Sequence, residues 1–444
     1  MTRVYLVRVA SLALVLGLLL TACGAPSGPA APAAQPAATQ APAAQAPAGQ
    51  APAPTQAPAA QAPSATQASA AQAPGGAAVP DKPSKPVKLT IIDVAGNLQL
   101  TKASIESYKK ANPDKVTDIE YQTAPAPELP AKIKAQQDAN KLDIAVVLTG
   151  FDGLAAGVEQ GLWTKLTPDY RGKLGDFEST YLEPAKRAND IGQGYGVVIT
   201  YYPSGPLFMY NPSKVPTPPT TIDELKAWIK ANPGKFMYAR PANSGPGRTL
   251  LMGLPYILGD KDPKDPVNGW EKTWAFLKEI DQSIDYYPTG TGATMQELGE
   301  GTRWIIAGTT GWDMNPRILG TVPKNFGAFF VKDFVWVGDA HFVVIPKGLD
   351  ADRMSVALDL IKWLLQPQQQ ANAYDNAYFY PGPAVKGVTL DMAPKENQDA
   401  VRSVMRPEFD DMIAKVRVEM PLQTKTMVSA FDLWDKAVGA KTKK

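Results

Sequence analysis

From Lys88 onward, short β-rich runs alternate with helix-length stretches, and this alternation restricts the fold more than any other feature of the chain. Residues 88–94 read as a strand, and 101–111 as a helix stopped by Asn112-Pro113. Residues 117–122 form the next strand, 129–140 the next helix, and 142–148 a third strand with the unbroken apolar run Ile144-Ala-Val-Val-Leu148. Thr149-Gly-Phe-Asp-Gly153 then turns into a helix ending near Gly161. Strands separated by helices give parallel βαβ units with right-handed connections. A strand apolar on both faces belongs in a sheet covered on both sides.

The pattern restarts after Gly205. Leu207-Phe-Met-Tyr210 is a strand, and Thr221-Ile-Asp-Glu224 is a capping box opening a helix with Leu225, Trp228 and Ile229 on one face. Asn232-Pro-Gly234 ends that helix, and 235–239 follow as a strand. Arg240-Pro-Ala-Asn-Ser-Gly-Pro-Gly247 is a tight loop entering a helix at Arg248-Thr249. Beyond Tyr286-Tyr287 and Pro288-Thr-Gly-Thr-Gly292, residues 295–304 read as a helix, and the overlapping 302–307 equally well as a strand. Two α/β lobes joined by chain crossings accommodate both halves.

The N-terminus follows other rules. Arg3 and Arg8 precede an apolar run over 10–20, which ends in Leu20-Thr-Ala-Cys-Gly24. Cys23 is the only cysteine in 444 residues. A positive start, a short apolar core and small residues before a cysteine make a bacterial lipoprotein signal. The run is shorter than the ~20 residues of a spanning helix. Residues 1–22 are therefore expected to be a signal peptide, and Cys23 the lipidation site, carrying diacylglycerol and palmitate. The mature chain would be anchored to the outer face of the cell membrane or in the periplasm. Residues 24–87 are almost entirely Ala, Pro, Gln, Gly, Ser and Thr, with no charge before Asp81 and no aromatic residue. Such a segment buries too little apolar surface to order itself. Residues 23–87 read as a disordered tether spanning on the order of 45 Å.

Composition removes several function classes. With 45 basic and 43 acidic residues and a net charge of +2, there is no footprint for nucleic acid. A lipidated Cys23 leaves no thiol for a disulfide, zinc site, iron–sulfur cluster or nucleophile. The chain has one histidine, His341, so histidine triads and clusters do not arise. Gly-x-Ser-x-Gly and His-Glu-x-x-His motifs do not occur, and Gly245-Pro-Gly-Arg-Thr249 lacks the spacing and lysine of a P-loop. No catalytic residue, metal or cofactor is expected. A two-carboxylate glycoside hydrolase stays open on composition alone, because 43 acids offer many pairs. So does a tethered ligand sensor.

The stretch Gly338-Asp-Ala-His-Phe-Val-Val-Ile-Pro-Lys-Gly348 carries a resemblance. It is followed by a helix-like 351–365, then Gln366-Pro-Gln-Gln-Gln370 and Tyr378-Phe-Tyr-Pro-Gly382. With 143–148, Gly161-Leu-Trp163, Tyr210-Asn211, Asn232-Pro-Gly-Lys-Phe236 and Arg240-Pro241, the chain resembles the extracellular solute-binding proteins of ABC importers. It is most similar to the branch holding polyamine, thiamine and ferric-iron receptors. The resemblance implies a two-lobed type II periplasmic-binding fold with a hinge. Residues 88–203 and 336–380 would form lobe 1, and 204–335 and 381–444 lobe 2. It also implies a monomer that captures a small solute and hands it to a permease.

In doubly wound sheets, ligands sit beyond the carboxyl ends of strands, where helix N-termini offer free N–H groups. That rule selects Asn97, Gln99, Thr149, Gly150, Asp152, Asn243, Ser244, Arg248, Thr289, Thr291, Trp312 and Asp313. Each reads alternatively as a helix cap or turn residue. Trp312 with Asp313 suits a cationic solute of the polyamine or thiamine kind, whereas Arg248 suits an anion, and a sugar remains a further reading. Tyr201-Tyr202 and Tyr286-Tyr287 are similar to the tyrosine doublets of ferric receptors but equally fit core or wall positions; Tyr202 is kept as a contact. His341, inside an apolar strand, reads as a structural histidine.

Overall fold

The computed structural model describes residues 79–94, 96–124 and 128–439. The expected signal peptide, Cys23 and nearly all of the tether lie outside the described residues.

The strands are β1 (Val87–Asp93), β2 (Val116–Thr123), β3 (Ile144–Thr149), β4 (Gly196–Gly205) and β5 (Leu207–Tyr210). They continue as β6 (Phe236–Met237), β7 (Ile305–Gly308), β8 (Gly327–Phe329), β9 (Trp336–Val344) and β10 (Val418–Glu419). Among the described residues, the helices of eight residues or more begin with α1 (Leu98–Ala111), α2 (Leu129–Asp138), α3 (Phe151–Glu159) and α4 (Glu183–Ile191). Next come α5 (Ile222–Ala231), α6 (Gly245–Ile257), α7 (Glu271–Asp281) and α8 (Thr291–Gly299). The last are α9 (Ala351–Leu364), α10 (Lys395–Arg402), α11 (Pro407–Lys415) and α12 (Thr424–Ala437).

Two sheets result. In the first, β1 pairs in parallel with β2 and β3, and β9 runs antiparallel to β3. One edge of β9 holds β3 at Phe342–Val344 and β10 at Trp336–Val337, while β4 lies antiparallel along the other. Every residue of β3, β4 and β9 is buried, as strands covered on both faces require. The second sheet has the order β6-β7-β5-β8, with β6 and β7 parallel and the other pairs antiparallel. The chain passes from the first sheet to the second within a few residues, from β4 at Gly205 to β5 at Leu207.

The local rules hold in detail. Thr221 Oγ1 accepts from Glu224 N at 3.1 Å, and Glu224 Oε2 accepts from Thr221 N at 3.3 Å, completing the capping box that opens α5. Where residues 295–304 and 302–307 competed as helix and strand, both elements form. Helix α8 stops at Gly299, Gly301 takes the left-handed region (φ 76), and β7 starts at Ile305. On α3, Gly157 packs against Trp163: a Cβ there would lie 2.0 Å from the indole. That indole is fully buried and donates to Leu154 O at 3.1 Å.

The C-terminal segment departs from the expected division of lobes. Residues 381–444 were assigned to the second lobe, yet β10 joins the first sheet. β3 leaves the Trp336–Val337 end of β9 unpaired, and buried backbone groups require partners, which β10 supplies. Helix α12 lies along α3 and also reaches the second half of the chain, where Trp434 Nε1 donates to Tyr238 Oη at 3.0 Å.

Candidate functional site

The strand pair β4–β9 sets the site. Thr200 lies opposite His341, and Tyr202 opposite Asp339. Alternation along a strand turns these four side chains to one face and Tyr201 to the other. Tyr202 Oη donates to Asp339 Oδ2 at 2.9 Å, and its ring stacks on Phe379 with centroids 4.5 Å apart. Beyond this face lies a cavity of about 400 Å³, within the size range of small-molecule sites.

Three helices start at this cavity: α3 at Gly150, α6 at Ser244 and α8 at Gly290, with Gly150, Asp152, Ser244, Gly245, Thr291 and Gly292 lining it. On α3 the Gly153 N–H is already met by Asp152 Oδ1 at 2.9 Å, whereas α8 has no side-chain cap, so its first N–H groups remain available for acceptors. Ser244 Oγ and Thr291 Oγ1 are 2.8 Å apart and tie the starts of α6 and α8 together. Helix α1 differs, because Asp93 accepts from Asn97 N (3.1 Å) and Leu98 N (2.9 Å).

Arg248 enters from α6. Its Nη2 bonds Asp339 Oδ2 at 2.5 Å, and its Nη1 lies 3.9 Å from Asp152 Oδ2. Burial works to pull its pKa down, but the charges of Asp339 and Asp152 outweigh burial and hold the guanidinium protonated. His341 lies against the same group of charges. Burial pushes its pKa below the ordinary value, aided by Arg248 and opposed by Asp339, Asp93 and Asp152. The neutral ring's tautomer follows from Asn97. Thr101 Oγ1 lies 2.9 Å from Asn97 O and 3.1 Å from Asn97 Oδ1, and the Asn97 amide is turned so that Nδ2 donates to Thr200 Oγ1 and His341 Nδ1, each at 3.2 Å. With Nδ1 accepting, the proton sits on Nε2. That atom meets no acceptor among the described residues, and His341 lines the cavity.

Of the residues singled out by sequence, Gly150, Asp152, Tyr202, Asn243, Ser244, Arg248, Thr289, Thr291 and Trp312 line this one cavity. Four do not. Asn97 is fully buried and acts on the site only through His341. Thr149 is fully buried, its hydroxyl filling the space a Cβ on Gly153 would need. Gln99 lies exposed on α1. Asp313 is turned inward: Oδ1 accepts from Gly311 N at 3.1 Å, and Oδ2 lies 3.7 Å from Arg317 Nη2. Burial pushes the Asp313 pKa up against the pull of Arg406 and Arg317. The expected Trp312–Asp313 cation site is therefore divided, with Trp312 beside Tyr378 at the cavity (5.3 Å between centroids) and its neighbour in the core. Arg248 is likewise not a free cation, because Asp339 already meets its charge.

Tyr286 and Tyr287 are buried, with their hydroxyls bonded to Glu297 and Asp281. His341 is structural through Nδ1 and also borders the cavity. Sequence reasoning missed Asp339, Tyr378 and Phe379. Asp339 had a signal, since an acid and a histidine two apart in an apolar strand share a face. Among the described residues, no group of three His, Cys, Asp or Glu side chains could hold a metal, and no helix is long and apolar enough to cross a membrane.

Residues 103–401 match the family model of the bacterial extracellular solute-binding proteins. The chain belongs to this family. As a member, it binds a solute outside the cytoplasm. Solved structures share its two-lobed α/β fold. The periplasmic binding protein AfuA from Actinobacillus pleuropneumoniae, with exogenous fructose-6-phosphate bound, is 13% identical with a TM-score of 0.57, covering 79% of this chain and 98% of its own. A GABA receptor is 17% identical with a TM-score of 0.56, covering 80% and 98%. The spermidine/putrescine-binding protein PotD from Streptococcus pneumoniae, in complex with calcium and HEPES, is 16% identical with a TM-score of 0.54, covering 80% and 99%. No curated protein matches the sequence.

Proposed function

We propose that this solute-binding protein captures a small bipolar solute, with an amine-type cation at one end and an oxyanion at the other. It would deliver that solute to the permease of an ABC importer while held at the membrane by a lipid on Cys23. The carrying observation is the division of polarity across the cavity. Asp152 is a partly exposed carboxylate whose nearest cation in an ion pair is 3.9 Å away. Trp312, Tyr378 and Phe379 border the same space, and aromatic faces attract cations. The start of α8 and one hydroxyl proton of the Ser244–Thr291 pair supply donors for an acceptor group. A polyamine or thiamine-like cation would use the first half alone, and a sugar or small anion the second. A bipolar solute uses both. Because its two ends contact both lobes only when they approach, it favours the closed form by its differential affinity for that form.

The test is thermal unfolding of the detergent-held full chain with 4-aminobutyrate, spermidine, thiamine, fructose-6-phosphate and glucose. A ligand at about 100 times its dissociation constant stabilises the folded state by about 2.7 kcal/mol. The expected result is a rise in midpoint with 4-aminobutyrate, lost in Asp152→Asn. A larger rise with spermidine, glucose or the sugar phosphate than with 4-aminobutyrate would overturn the bipolar reading, as would an unchanged Asp152→Asn response.

A further inference from the structure

A second cavity, of about 440 Å³, lies among α4, the loop after α6 and the segment from β10 into α12. Arg187 of α4, Lys264 in the loop after α6, and Met420 and Leu422 between β10 and α12 border it. Tyr201 lies beneath Met420: a Cβ on Gly338 would be 3.1 Å from Met420 Cε and 3.4 Å from Tyr201 Cε2.

Two polar groups here are unsatisfied. Arg187 Nε and Tyr201 Oη are buried, and neither has a hydrogen-bond partner. Arg187 forms no ion pair among the described residues, even with Asp190, which borders the cavity one turn further along α4. Buried donors without acceptors are rare in folded proteins, because each costs free energy. Lys264 adds a second cation. Its Nζ donates to Met420 O at 2.6 Å and lies 3.9 Å from Glu419, which Arg417 also engages at 2.9 Å. Burial pulls the Lys264 pKa below its ordinary value, and Arg187 and Arg417 pull the same way against Glu419 and Asp262.

A planar guanidinium with an uncommitted Nε–H and an ammonium bordering the same cavity are the donor types that hold an oxyanion. We propose that this second cavity binds a small oxyanion of the inorganic phosphate class, held by Arg187 with Lys264 as a further donor. The inference does not rest on which solute the cleft takes, since none of these side chains lines the cleft.

Isothermal titration of the detergent-held full chain with inorganic phosphate tests it. Arg187→Gln should weaken binding by about tenfold or more, the worth of one charge-assisted hydrogen bond. Lys264→Gln should weaken it less, and Lys134→Gln, an exposed change on α2 that borders neither cavity, should bind as the unaltered chain does. Arg187→Lys keeps the charge without the fork and should fall between, which also guards against misfolding of Arg187→Gln. Absence of saturable binding tighter than about 1 mM in the unaltered chain would overturn the proposal. So would equal affinity in Arg187→Gln, or a loss in Lys134→Gln as large as in Arg187→Gln.

Discussion

Breaking the Arg248–Asp339 pair should reveal how far the cleft is held by buried charge. Their side chains are only 6% and 1% exposed and bond at 2.5 Å, so the discount for surface ion pairs does not apply. Arg248→Leu removes the cation and leaves Asp339 with Tyr202 Oη and Ala340 N, two neutral donors, around a desolvated negative charge. Breaking one side of such a pair costs about 3–5 kcal/mol, a large share of a typical total of about 5–15 kcal/mol. Asp339→Asn keeps the shape but strands the guanidinium, whose remaining carboxylate, Asp152, is 3.9 Å away. The double variant Arg248→Leu with Asp339→Asn leaves neither charge uncompensated at this pair. Its cost should fall short of the sum of the single costs by about 2 kcal/mol. Urea unfolding at neutral pH, followed by tryptophan fluorescence and by far-UV circular dichroism with coincident transitions, measures all four corners. Costs that add within about 0.5 kcal/mol, the behaviour of independent sites, would refute the reasoning.

Two further outcomes are expected. Burial holds the His341 pKa below its unfolded value of about 6.5, so at pH values between the two the unfolded chain binds a proton that the folded chain does not. Its contribution is complete above about pH 6.5 and is lost as pH falls toward the folded value; the urea midpoint should therefore drop on acidification, less steeply in His341→Gln, and parallel profiles would refute this. Cys23→Ser should release the protein from the membrane fraction of an expressing bacterium into the soluble extracytoplasmic fraction, whereas retention in the membrane would refute the lipid anchor.

The α/β alternation was legible because each signal is local. The run Ile144-Ala-Val-Val-Leu148 can be little else than a buried strand, and Thr221-Ile-Asp-Glu224 carries its own cap. The loops that gather at the cleft were legible for the same reason, since a Gly or Ser between a strand and a helix marks where N–H groups are exposed. Which side chains turn into the cleft was not. Asp313 and Trp312 are adjacent, yet one is buried against Arg317 and the other borders the cavity, a choice made by what packs around them. The pairing of Arg248 with Asp339 joins residues 91 apart and depends on the register of β4 with β9. No element is read from the sequence beyond residue 382, although α10, α11 and α12 form there with apolar residues at helical spacing. The two-residue strand β10 exists because an edge of β9 needed it, not because Val418-Glu419 asks to be a strand.

The ribbon of β4 and β9 is only two strands wide where it carries Tyr202 and Asp339 on one side and Tyr201 and Gly338 on the other. Neighbours on opposite faces of this strip share one backbone, so a shift of Tyr202 or Asp339 along the ribbon carries Tyr201 or Gly338 with it.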